Sequence, residues 1–159
     1  MRIMTLHEPW ASLIVFGVKR HETRRWSSRV RGPMLIHAAR TWGKRQRSAW
    51  KAIRETVLLR TGRTLPEPSG FGCVVAICAL ADCRPTRDDA SPLFPDPAEP
   101  ADDLDRLCGD WSPGRYAMRL DSVTPLPEPI PWCGSQGRPR SAPPILVDAV
   151  NAQLGGPVR

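Results

Sequence analysis

The stretch from Gly70 to Leu80 limits the possible folds more than any other part of the sequence. Apolar side chains occupy both sets of alternating positions, so a strand here has two apolar faces. Such a strand is stable only where both faces are covered, which predicts a position in the centre of a sheet. A chain of 159 residues is long enough for one domain built around that sheet.

Short elements are expected around this strand, because eighteen prolines and twelve glycines in this length favour turns over long helices. Hydrophobic periodicity and capping signals predict the following segments. They are an opening strand over residues 1–5, a helix from Pro9 to Gly17, a polar strand from Lys19 to Trp26, a buried strand from Met34 to Ala38, a helix from Trp42 to Arg60 capped by Thr41, a strand from Arg115 to Leu120 continued by an extended proline-rich path to Pro131, and a terminal helix from Ile145 to Leu154 stopped by Gly155.

The segment at about 84–113 differs from the rest in composition. Six prolines and eight of the sixteen acidic residues fall between Arg84 and Gly114. This composition predicts a mobile insertion with a brief helical turn near Asp102 to Cys108. Outside residues 84–110, twenty basic and eight acidic residues remain, a net charge of +12 against +7 for the whole chain. A body this basic favours polyanionic partners.

Five cysteines are present without a CxxC pair, so neither a disulfide framework nor a zinc site is indicated. We expect free thiols, no metal site and no cofactor. The apolar run from Trp10 to Phe16 is too short to span a bilayer and lacks a signal-peptide layout. A cytoplasmic protein without a membrane partner is therefore expected.

Lys19, Glu22 and Arg24 form the strongest candidate site. In a strand, Glu22 and Arg24 share a face with Trp26, whereas Lys19 can join them only from the turn after Gly17. A lysine beside a carboxylate acts either as an acid or base, or as a cation that holds phosphate. The alternative is a solvated ion-pair cluster on a surface strand.

Arginines and tryptophans alternate around the two early strands. Guanidinium groups bind phosphates and aromatic rings stack on unpaired bases, a mixture typical of single-stranded RNA recognition. The candidate binding residues are Arg24, Trp26, Arg29, Arg31, His37 and Arg40. Trp10 is expected in the core, His21 on the surface, and His37 either as a hydrogen-bonded structural histidine or as part of the cleft.

Three motifs resemble one known family in the order in which they occur. The pattern Gly17-x-Lys19-x-x-Glu22-x-Arg24 follows a proline-tryptophan helix, residues 31–39 read RGPMLIHAA, and residues 129–137 read PIPWCGSQG. Together they resemble the ASCH family of the PUA-like superfamily. The resemblance implies an α+β fold, a PUA-like mixed β-barrel of about five or six strands with flanking helices, forming a single domain over residues 1–159.

The resemblance also implies a cleft beside the barrel that binds RNA or a modified nucleotide, lined by Lys19, Glu22, Arg24, Arg31 and His37. Hydrolytic members place a hydroxyl residue three positions after a catalytic lysine and act on an acylated nucleoside. Lys19 matches that lysine, but Glu22 stands at the hydroxyl position. Two alternatives therefore stay open: a hydrolase, either a nucleoside amidohydrolase or a ribonuclease, centred on Lys19 and Glu22, and an adaptor that binds a protein partner through the acidic loop 84–110.

Overall fold

The computed structural model describes residues 1–86 and 96–157. Within these ranges, one mixed sheet of six strands is combined with four helices. The strands are β1 (Arg2–Leu6), β2 (His21–Arg24), β3 (Gly32–Ala38), β4 (Cys73–Pro85), β5 (Tyr116–Pro131) and β6 (Arg140–Ser141). The helices are α1 (Trp10–Val15), α2 (Lys44–Thr61), α3 (Asp103–Leu107) and α4 (Pro144–Leu154).

The strands follow the order β2-β5-β4-β3-β1-β6, with β1 parallel to β3 and the other pairs antiparallel. Three register shifts between β4 and β5 add residues to the ladder, and such bulges increase the bend and twist of a sheet. The sheet is curled into a half-barrel. The predicted α+β class, with a mixed sheet and flanking helices, is confirmed.

Strand β4 lies in the interior of the sheet and is covered on both faces, as its apolar pattern predicted. Ala76, Cys78 and Leu80 belong to a core cluster that also contains residues of β1, β3 and α1. Val74 and Ile77 belong to a second cluster, which is closed by α4. Val74 and Ala76 reach different clusters despite their even spacing, because a bulge separates them.

Strand β5 is longer than expected, because pairing with β4 resumes at Ile130 and continues to Pro131 at the end of the proline-rich path. Proline is excluded from a central strand when its missing N–H would face a neighbour. Strand β2 pairs only with residues 116–119 of β5, which leaves the other edge of the later part without a strand partner among the described residues. The prolines at 125, 127, 129 and 131 all lie in that later part.

The start of α2 corrects the predicted cap. The helix begins at Lys44 with Gly43 as its N-cap, not at Trp42 with Thr41. Gln46 accounts for the difference, since its side-chain oxygen accepts the N–H of Gly43 at 3.1 Å and closes the first turn there. Trp50, Ile53 and Val57 of this helix are buried.

The mobile insertion predicted at about 84–113 falls partly on residues 87–95, which lie outside the described residues. Of the remainder, β4 continues to Pro85 and the predicted helical turn is present as α3, with the Asp102 side chain accepting the N–H of Asp105 at 2.8 Å. Asp105 is fully buried. Mobility stays a prediction for the rest of the insertion, whereas α3 is attached to the domain body through the contacts below.

Candidate functional site

Lys19 lies in the turn that joins α1 to β2, as its spacing required. Gly17 has a φ of +72°, a conformation that glycine adopts without strain, and it ends the helix. The N–H groups of Val18 and Lys19 then both donate to the Leu13 carbonyl at 3.0 Å. This turn directs the lysine side chain inward, where it is only 1% exposed.

Lys19, Glu22 and Arg24 form one connected ionic cluster. The Lys19 ammonium lies 3.3 Å from Glu22 Oε2, and Arg24 Nε lies 2.8 Å from Glu22 Oε1. The second contact is an ion pair without an aligned hydrogen bond from Nε, while Arg24 Nη2 donates to the Thr5 carbonyl at 3.2 Å. Both oxygens of Glu22 therefore face a cation, and the cluster carries a net charge of +1.

The second partner of the Lys19 ammonium comes from a distant part of the sequence. Lys19 Nζ donates to the carbonyl of Cys108, directly after α3, at 3.0 Å. Next to it, the N–H of Asp110 donates to Thr23 Oγ1 at 3.1 Å. The segment after α3 thus packs along β2, which is an end strand of the sheet, and forms a second wall beside the ionic cluster.

Asp105 anchors this wall. Its carboxylate accepts hydrogen bonds from the N–H groups of Arg20, His21 and Ala101 at 2.7–3.0 Å and lies 2.6 Å from His21 Nδ1. Burial alone raises the pKa of this carboxyl, but the hydrogen bonds from the His21 side chain and these three N–H groups outweigh it and lower the pKa to about 2. The expectation that His21 is exposed is wrong, because Asp105 holds it in a buried contact.

A pocket of about 550 Å³ opens between the ionic cluster, α2 and the wall after α3. This volume lies in the range of small-molecule sites. Most of its polar lining consists of hydrogen-bond donors, which favours a ligand rich in acceptors. The charged and aromatic residues of the lining are His7, Trp10, Lys19, Glu22, Arg24, Arg25, Arg45, Asp110 and Arg115.

Two arginines of the pocket are free to bind an anion. Among the described residues, neither Arg25 nor Arg45 has an acidic partner within ion-pair distance, whereas Arg115 Nη1 lies 3.1 Å from Asp110 Oδ2. Arg25 continues the polar strand, but Arg45 was missed as a site residue. It lies in a helix with basic residues on several faces, and nothing local distinguishes it from Arg47 or Lys51.

His7 and Trp10 are further pocket residues that the sequence did not indicate. Burial, followed by the nearby charges of Arg24 and Arg45, lowers the pKa of His7, which favours a neutral imidazole at pH 7. The predicted core position of Trp10 is only part of its role. The ring is half-buried against the cluster of α2 and also lines the pocket.

Of the predicted cleft residues, Lys19, Glu22 and Arg24 come together in the pocket, and His37 lies outside its lining. His37 is buried, and its Nε2 lies 3.0 Å from the Trp132 carbonyl. Burial lowers the pKa of His37 despite this hydrogen bond. Gly134 covers the ring so closely that an added Cβ would lie 2.2 Å from it. This geometry fits the expectation of a hydrogen-bonded structural histidine.

Trp26, Arg29, Arg31 and Arg40 also lie outside the pocket lining. Trp26 packs partly against the core and carries the guanidinium of Arg138 over its ring. Arg31 is bound to Asp82 at 3.1 Å, while Arg29 and Arg40 are exposed. Their role in binding stays a prediction, and they belong to surfaces other than the pocket wall.

We also searched the described residues for metal-ligating groups and for helices that could span a membrane. No group of three or more metal-ligating side chains occurs within residues 1–86 and 96–157. Over the same ranges, no helix has the length and apolar character needed to cross a membrane. The expected cytoplasmic location stays a prediction.

Comparison with known proteins agrees with the first two motifs. The sequence model of the ASCH domain matches residues 4–94. Activating signal cointegrator 1 of Mus musculus is 32% identical over 102 residues, and that of Homo sapiens is 32% identical over 101 residues. Each match covers 62% of this chain and 17% of the relative, so the chain spans less than a fifth of these relatives.

Among solved structures, the chain is similar to a mutant of the ZmASCH protein from Zymomonas mobilis. The similarity has a TM-score of 0.43 at 15% sequence identity and covers 81% of this chain and 73% of the other.

Proposed function

Because the chain belongs to the ASCH domain family, we propose that its basic pocket binds RNA or a modified nucleotide. Members of this family are commonly associated with RNA binding. The observation that carries the proposal is the pocket of about 550 Å³, in which Arg25 and Arg45 lack acidic partners among the described residues. Free guanidinium groups beside a pocket of this size are suited to a phosphate-bearing ligand.

The ionic cluster supports the same proposal by its arrangement. Glu22 is engaged by Lys19 and Arg24, so it neutralises only one of the two cations. The aromatic face of Trp10 and the neutral imidazole of His7 add a surface for stacking and a polar group for hydrogen bonding. Charge for phosphate and an aromatic ring for a base are thus present within one pocket.

An affinity measurement with a fluorescent five-nucleotide RNA tests the proposal. Arg25→Ala and Arg45→Ala should each weaken binding about fivefold and reduce the slope of log K against log salt by about 0.7, since each removes one phosphate contact. Lys51→Ala is the matched control, because Lys51 is an exposed basic residue of α2 outside the pocket lining. Binding that ignores salt and both arginine variants would contradict the proposal.

Hydrolysis is the second candidate, favoured by the buried contact between Lys19 and Glu22 at the pocket wall. Lys19→Arg separates the two functions. Arginine keeps the positive charge, yet its guanidinium cannot give up a proton as a catalytic lysine must. Loss of acylcytidine or RNA turnover with RNA affinity retained would support a hydrolase. If the wild-type protein binds RNA but turns over neither compound, only the binding function is supported.

A further inference from the structure

A second basic surface begins where the pocket ends. Arg25 lines the pocket, and the next residue, Trp26, lies outside it. Consecutive Cα atoms are about 3.8 Å apart, so the backbone at Trp26 lies one residue from the pocket lining. The indole of Trp26 is half-buried, with part of its surface packed against the core. Its fixed ring provides a rigid support for groups placed over it.

The guanidinium of Arg138 lies over the Trp26 ring. Its guanidinium carbon lies 5.1 Å from the centroid of the Trp26 ring, and its Nη1 donates to the Ser27 carbonyl at 3.3 Å. These contacts join two parts of the chain more than 110 residues apart. They fix the direction of a side chain that is otherwise exposed. The residue before it, Gly137, has a φ of +111°, a conformation that favours glycine. The backbone conformation that leads into Arg138 therefore depends on a glycine at this position.

Among the described residues, no acidic group lies within ion-pair distance of Arg138 or of Arg29, so the charge of Arg138 is not neutralised there. An arginine held over a tryptophan has lost much of its conformational freedom before any ligand binds. Nucleic-acid bases stack on the planes of arginine side chains as well as on aromatic rings. A preorganised, exposed guanidinium beside a basic pocket therefore fits an unpaired base better than it fits an isolated phosphate.

We propose that Arg138, supported by Trp26, is a stacking site for a base adjacent to the nucleotide in the pocket. The ligand class is then single-stranded RNA that extends past the pocket, not a free nucleotide. This inference rests on the proposed function of the pocket and adds a second contact to it. Arg29, an exposed residue two positions after Ser27 in the sequence, supplies positive charge for the connecting phosphates.

The experiment compares two ligands, a single nucleoside monophosphate and a five-nucleotide RNA, by isothermal titration calorimetry and fluorescence anisotropy. Arg138→Ala should weaken binding of the five-nucleotide RNA about fivefold to 150-fold, the range expected for loss of one base-stacking contact. It should leave binding of the monophosphate unchanged. Arg45→Ala should weaken both ligands, because it acts in the pocket.

Arg138→Lys tests stacking separately from charge, since lysine keeps the charge but has no planar group. We expect it to lose most of the affinity that Arg138→Ala loses. If Arg138→Lys binds the five-nucleotide RNA as the wild type does, the contact is electrostatic and the stacking site is wrong. If Arg138→Ala also binds like the wild type while Arg45→Ala weakens binding of the same RNA, the proposed contact with Arg138 is wrong. RNA binding in the pocket is then still supported. A wild type that binds neither ligand overturns both.

Discussion

Glu22 has the largest predicted effect of any single residue in the site. Its carboxylate lies between Lys19, which is almost fully buried, and Arg24. An ion in that position depends on its partner, because it has given up its contact with water. The carboxylate is therefore required for the cluster to fold, whatever ligand the pocket binds.

Glu22→Gln should lower the free energy of unfolding by about 3 kcal/mol, the loss expected when a buried ion pair loses one member. Urea denaturation measures this value. Glu55→Gln is the control, since Glu55 is exposed on α2 and should change stability by less than about 0.5 kcal/mol. Equal stabilities of the two variants would show that Lys19 does not depend on Glu22.

Gly134 has a steric role against His37. Because an added Cβ would lie 2.2 Å from the imidazole, Gly134→Ala should destabilise the domain by about 1–3 kcal/mol. Combining it with His37→Ala removes the ring and should reduce that loss, which a double-mutant cycle measures. Additive losses would show that the clash lies elsewhere.

At the scale of elements, α3 and the segment after it turn the edge of β2 into a pocket. Asp105 connects them to the strand through two backbone N–H groups and His21. Its folded-state pKa of about 2 is below the ordinary value of 3.8. A carboxyl with a lowered pKa stabilises the fold above its unfolded-state pKa and loses this contribution as the pH falls through its folded-state pKa.

The wild type should therefore lose about 2 kcal/mol of stability from this group between pH 4 and pH 2. Asp105→Asn should lack that part of the acid dependence and be less stable at pH 7, as followed by thermal unfolding across pH. Asp103→Asn is the matched control, because Asp103 lies in the same helix with an exposed side chain. An unchanged acid profile in Asp105→Asn would contradict the anchoring role.

The sequence predicted those features that depend on residues close to one another in the chain. The two-faced apolar pattern placed β4 in the centre of the sheet, and strand geometry with Gly17 placed Lys19 beside Glu22 and Arg24. The partners Cys108 and Asp105 could not be predicted, because they lie more than 80 residues away in a segment whose prolines and acids are typical of a mobile loop. His7 and Arg45 were missed for a similar reason, since only the folded chain brings their elements to one pocket.

For the whole molecule, the charge is distributed so that one pocket and its adjoining surface are basic. The chain carries +7 overall, and many acidic residues of the described segments pair with arginines away from the pocket, such as Asp82 with Arg31 and Glu67 with Arg54. Polyanions should therefore be attracted towards the face that contains Arg25 and Arg45. We therefore propose that RNA binds at this face.

The indole N–H resonances of the six tryptophans test that claim most directly, because each reports on a different part of the molecule. On titration of ¹⁵N-labelled protein with a five-nucleotide RNA, the signals of Trp10 in the pocket and Trp26 beside it should shift. Those of Trp50, whose N–H is bound to Glu67, and Trp132, which packs in the cluster closed by α4, should stay in place. Shifts confined to Trp50 and Trp132, or saturable binding that leaves Trp10 unmoved, would contradict binding at the basic pocket.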